Sequence, residues 1–95
     1  MIERFWAVVY DEMQGNQLGI APGCEDGLRQ FIDKGVDELR RGGATKEQLR
    51  KAEDDLRRFV RAMAEEATKK GYNELHEDTL AWARSLFCPG TWPFC

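Results

Sequence analysis

An all-α fold, a compact bundle of about four helices forming one domain over residues 1–95, is what this sequence predicts. Three observations carry that expectation. Apolar residues recur at three- and four-residue spacing through most of the chain. Glycines at 15, 19, 23, 42, 43 and 71 punctuate it. A mass of 10.9 kDa leaves room for one small core. The segments that result lie at approximately 2–14, 24–41, 45–70 and 74–87, followed by a tail expected to be ordered.

In the first segment Ile2, Phe5, Trp6, Val9 and Met13 share helical spacing, which predicts a helix. The run from Phe5 to Tyr10 is also one that strands favour, so local propensity and periodicity disagree there. The second segment opens after Pro22 with Glu25 and Asp26, places Leu28, Phe31, Ile32, Val36 and Leu39 on one face, and ends in Arg40-Arg41-Gly42. Acids first, bases last and glycine beyond suit a helix dipole and its C-cap. Gly35 on that apolar face predicts a close helix approach.

The third segment is the strongest of the four. Thr45 with Gln48 three residues on has the form of a capping box. Leu49, Ala52, Leu56, Phe59, Val60, Met63 and Ala67 then line one stripe. A helix from Lys46 to Lys70 would be roughly 37 Å long, about twice the length of the segment after Glu74, so its neighbours leave part of it uncovered. The 49, 52, 56, 59, 63 spacing is a heptad seam, suited to packing within the chain or to a homodimer through the 45–70 helix. In the fourth segment Asn73 is placed to cap a helix in which Leu75, Thr79, Leu80, Trp82, Ala83, Leu86 and Phe87 cover most of the circumference, which predicts the most buried helix. The sequence contains no internal repeat.

Chemistry-bearing residues are few. Cys24, Cys88, Cys95 and His76 make a set that zinc accepts by composition. On one helix, however, His76 and Cys88 would stand about 18 Å apart, against about 4 Å between ligands of one zinc. A Cys88–Cys95 disulfide is sterically reasonable, while three cysteines fit free thiols in a reducing compartment better than a disulfide framework. His76, on the inner side of the fourth helix, has Glu77 and Asp78 beside it, but adjacent helical residues point apart and no nucleophile pairs with it. No catalytic residue, metal site or cofactor is therefore predicted, and the chain reads as no enzyme.

Charge and apolar ends carry the rest. A net charge of -3 argues against a general polyanion binder. The basic flank Arg50, Arg57, Arg58 and Arg61, with Lys46 and Lys51, supports the alternative of a dimeric nucleic-acid-associated regulator. Acid-first pairs four residues apart, among them Glu53–Arg57 and Asp54–Arg58, account for the same charges as a solvated helix face. Leu18 and Ile20 in the first loop and Trp92 and Phe94 in the tail either plug the core or form one apolar surface for another protein. No apolar run approaches the roughly 20 residues of a membrane span, and the N-terminal acids do not suit a signal peptide, so a cytoplasmic chain is expected. The leading expectation is a small helical protein that acts by protein–protein interaction, of inhibitor, immunity, adaptor or assembly type.

Overall fold

Residues 2–87 are described by a computed structural model in which the elements follow the order α1 (Ile2–Gly15), β1 (Gly19–Ile20), α2 (Pro22–Arg41), α3 (Lys46–Lys69), β2 (Glu74–Leu75) and α4 (Glu77–Phe87). The four predicted helices are present. In α1 the helical period prevails over strand propensity because it puts Phe5, Val9 and Met13, each at most 2% exposed, on one stripe facing α3. The expected ordered tail, with Cys88, Trp92, Phe94 and Cys95, lies outside the described residues.

Helices α1 and α3 run in the same direction. Arg4 of α1 pairs with Glu53 of α3, and Glu12 pairs with Arg61 at 3.2 Å, so both clamps join residues 49 apart. The capping box at the start of α3 is complete: the Gln48 N–H donates to Thr45 Oγ1 at 3.2 Å, and the Thr45 N–H donates to Gln48 Oε1 at 2.8 Å.

Three helices end in the same way. The Leu18 N–H reaches the Met13 carbonyl at 2.9 Å, that of Ala44 reaches Leu39 at 3.1 Å, and that of Tyr72 reaches Ala67 at 2.9 Å. The residue before each donor has a positive φ: 56° at Gln17, 60° at Gly43 and 82° at Gly71. These are Schellman turns, and at α1 a glutamine occupies the left-handed position that glycine adopts without steric cost.

Departures from expectation concentrate at the fourth segment. Glu74 and Leu75 do not begin a helix; they pair in parallel with Gly19 and Ile20. The Gly19 N–H donates to the Asn73 carbonyl at 3.1 Å and the Ala21 N–H to that of Leu75 at 3.0 Å, and Leu75 becomes fully buried. Asn73 is therefore not a helix cap. The His76 carbonyl instead receives the first helical N–H groups, from Thr79 and Leu80. Nor is α4 the most buried helix. Leu86 is 63% exposed and Trp82 only half-buried, whereas α3 buries seven side chains, because α3 is flanked by both α1 and α4 while the outer face of α4 meets no described neighbour.

The order helix, turn, two-residue strand, helix thus occurs twice, as α1-β1-α2 and α3-β2-α4, although the sequence does not repeat. The parallel bridge joins the two halves. Close packing of α2 on α4 occurs at Gly27, where a Cβ would stand 3.4 Å from Leu80 Cδ2, and Gly35 is buried on the same helix.

The heptad seam is consumed inside one chain. Leu56, Phe59 and Met63 are fully buried, Ala52 is 3% exposed, and only Leu49 is half-buried. A second copy cannot use that seam without opening the core. No described helix is long and apolar enough to cross a membrane.

Candidate functional site

The length mismatch between helices goes with a cleft where α4 ends. Twenty-four residues make α3 about 36 Å long, whereas the eleven of α4 span about 16 Å. Running back along α3 from its C-terminal end, α4 stops where Phe87 sets its ring edge-on against Phe59, centroids 5.4 Å apart. The N-terminal half of α3 extends past that point. Between it, the end of α2 and the α2–α3 turn lies a cleft of about 620 Å³.

The floor of this cleft is apolar, made by Leu39 of α2, Ala44 of the turn, Ala52 of α3 and Phe87 of α4. Its rim is polar: Glu38, Gln48, Lys51, Asp55 and Arg58. Arg58 donates to Asp55 at 3.0 Å and Arg41 pairs with Glu38 at 3.8 Å, while Lys51 has no ion-pair partner among the described residues. A concave apolar floor with a few oriented polar groups is the form that binding sites take. Sequence reading anticipated that α3 would outrun its neighbours, but it did not name these residues. The signal was available in the two helix lengths.

A second, shallower cleft of about 480 Å³ lies at the opposite end, where α2 and α4 begin side by side after the parallel bridge. Cys24, Tyr72, His76, Glu77 and Asp78 line it. Its groups engage one another. Tyr72 Oη donates to Asp78 Oδ2 at 3.1 Å, Lys70 Nζ reaches the same oxygen at 3.4 Å, and the Thr79 N–H donates to Asp78 Oδ1 at 2.8 Å. Partial desolvation would raise the Asp78 carboxyl, but the Tyr72 hydrogen bond, the Lys70 charge and the Thr79 N–H together outweigh it and hold the group below the ordinary carboxylate range. The His76 ring packs edge-on against Tyr72 at 4.6 Å.

Burial, with the charges of Glu77 and Asp78 adding to it, pushes the Cys24 thiol up to about 11, so it is a thiol and not a thiolate at neutral pH. His76 is not on the inner face of α4 as expected; it precedes the helix and is half-buried. Among the described residues no group of three or more His, Cys, Asp or Glu side chains is arranged to hold a metal.

Of the four residues singled out from sequence for partner binding, Leu18 and Ile20 are described. Leu18 is 9% exposed and Ile20 half-buried, both packed on the core beside the bridge. Their role is therefore closing that end of the core. Trp92 and Phe94 lie outside the described residues.

The arginine flank is largely neutralised. Arg61 donates through Nη2 and Nε to the Glu12 carboxylate at 3.2 and 3.4 Å, and this hydrogen bond, then the Glu12 charge, raises its pKa further. Arg57 pairs with Glu12 at 3.7 Å and Asp54 at 3.5 Å. The expected four-residue pairs Glu53–Arg57 and Asp54–Arg58 are replaced, because α1 offers Arg4 to Glu53 and Glu12 to Arg57, which leaves Asp54 and Asp55 to pair three residues on. Of the four arginines only Arg50 keeps no ion-pair partner among the described residues, and Lys46 and Lys51 likewise have none there. Comparison with protein-family models, curated proteins and solved structures gives no significant match.

Proposed function

We propose that the protein works by binding another protein, through the cleft where α3 outruns α4. The observation that carries this reading is the cleft itself: half-buried Ala44 and Phe87, over the buried Leu39 and Ala52, line a concavity of about 620 Å³ whose rim is polar and charged. Apolar anchor sites enclosed by polar rims are where protein interfaces concentrate their binding energy. Supporting it, the side chains most able to do chemistry at the other end are turned toward one another, with Asp78 held by Tyr72 and Lys70.

Site-specific photocrosslinking in cells that express the chain tests the reading. A photoreactive residue replacing Glu38 on the cleft rim should give one discrete heterologous adduct. The same residue replacing Glu65, exposed and outside the cleft, should give none. Adducts from both positions alike, or none from Glu38, would reject the cleft as the contact site.

A further inference from the structure

Phe87 is both the last residue of α4 and part of the cleft, so the chain that follows it leaves from the cleft wall. Residues 88–95 carry no charged side chain, in a chain that is 33% charged, and they bring two large aromatics, Trp92 and Phe94. Pro89 lacks the N–H that would continue α4, and Pro89-Gly90 is a pair that turns a chain. Trp92 is five residues beyond Phe87, which keeps it within about 17 Å of that residue.

The cleft matches this segment in charge as well as in place. Its charged lining residues, Glu38, Lys51, Asp55 and Arg58, sum to zero. Arg58 pairs with Asp55, and Glu38 with Arg41, so the rim exerts little net attraction on a charged ligand. The apolar part, Ala44 and Phe87 over Leu39 and Ala52, is the surface against which an aromatic ring gains most. A volume of about 620 Å³ is that of sites which enclose drug-sized ligands, and it accommodates one or two aromatic side chains. A tether this short holds the segment near the cleft at an effective concentration of millimolar order, and its two prolines reduce the chain entropy lost on docking.

Resting on the reading of the cleft as a protein-binding site, we propose that residues 88–95 of the same chain occupy it when no partner is bound, with the Trp92 ring against Ala44 and Leu39, and that a partner binds by displacing them. The segment is then a built-in competitor. It covers the apolar floor of the free protein, and it lowers the apparent affinity of any partner in proportion to the fraction of chains whose cleft is open.

Nuclear Overhauser contacts in the isotope-labelled full chain test the occupant, with no substitution needed. The Trp92 indole should contact the methyl groups of Ala44 and Leu39. Contacts instead to Trp82 and Leu86 of α4, or to none of these four residues, would overturn the proposal. Contacts to Ala44 found only between differently labelled chains would overturn it too, by making the occupant a second copy.

The competition is read by repeating the Glu38 crosslinking with Trp92→Ala, whose amide spectrum over α1 to α3 reports that it folds. Opening the cleft should raise the heterologous adduct at least about threefold. An adduct unchanged or reduced by Trp92→Ala would reject the competition while leaving the cleft as the contact site. No adduct from either chain rejects the partner reading beneath it, whatever the ring contacts show.

Discussion

Phe31 of α2 stacks on Phe59 of α3, with ring centroids 4.9 Å apart and planes inclined by 20°. Phe59 also receives the edge of Phe87 from α4, so one fully buried ring joins three helices. Aromatic pairs in these geometries add about 1 kcal/mol beyond the area they bury. The same ring closes the inner wall of the cleft through Phe87, tying core stability to the geometry of the candidate site.

Phe59→Ala should therefore cost about 4 kcal/mol, as for other core aromatics, and should loosen the Phe87 wall as well. Urea unfolding measures the first effect, and the Ala52 amide shift reports the second. Leu86→Ala, at a position 63% exposed, should change stability by less than about 0.5 kcal/mol.

Backbone conformation makes a paired prediction at two equivalent turns. Gly71, with φ of 82°, should lose about 1 kcal/mol on replacement by alanine. Gln17, at 56° with its side chain exposed, should gain about 0.5 kcal/mol on replacement by glycine, because relief of left-handed strain exceeds the added chain entropy. Opposite signs in thermal unfolding would confirm that both positions are governed by φ.

Thr45→Ala removes one half of the capping box and should lower stability by about 1 kcal/mol. Since Gln48, the other half, stands on the cleft rim, hydrogen exchange should accelerate in the first turn of α3 before it changes elsewhere.

Alkaline destabilisation should trace to Cys24. Its folded-state pKa of about 11 exceeds the ordinary value of 9.0, so its contribution is fully present below about pH 9 and is lost as pH rises through about 11. Two units correspond to about 3 kcal/mol. In a Cys88→Ser, Cys95→Ser background, urea unfolding across that window should show the loss, and Cys24→Ala should remove it. An identical pH dependence in the alanine variant would reject the assignment.

What the sequence determined by itself was local and periodic. The buried stripe of α3, its capping box and the glycine endings of α2 and α3 follow from spacing and from residue chemistry within a few positions, whereas the left-handed Gln17 that ends α1 carries no such signal. That α3 would outrun α4 was readable as a difference in length, but its apolar face is covered along the N-terminal half too, with Ala52 and Leu56 buried.

Tertiary structure alone decided what depends on a distant partner. Glu74 and Leu75 are extended because Gly19 and Ile20, 55 residues earlier, supply a backbone ladder for them. Arg57 and Arg61 are neutralised because α1 brings Glu12 alongside α3. The cleft exists because Leu39, Ala52 and Phe87, from three helices, converge where α4 stops. Each of these outcomes is a balance between a local preference and a long-range contact of similar size, and only the folded chain contains both sides of it.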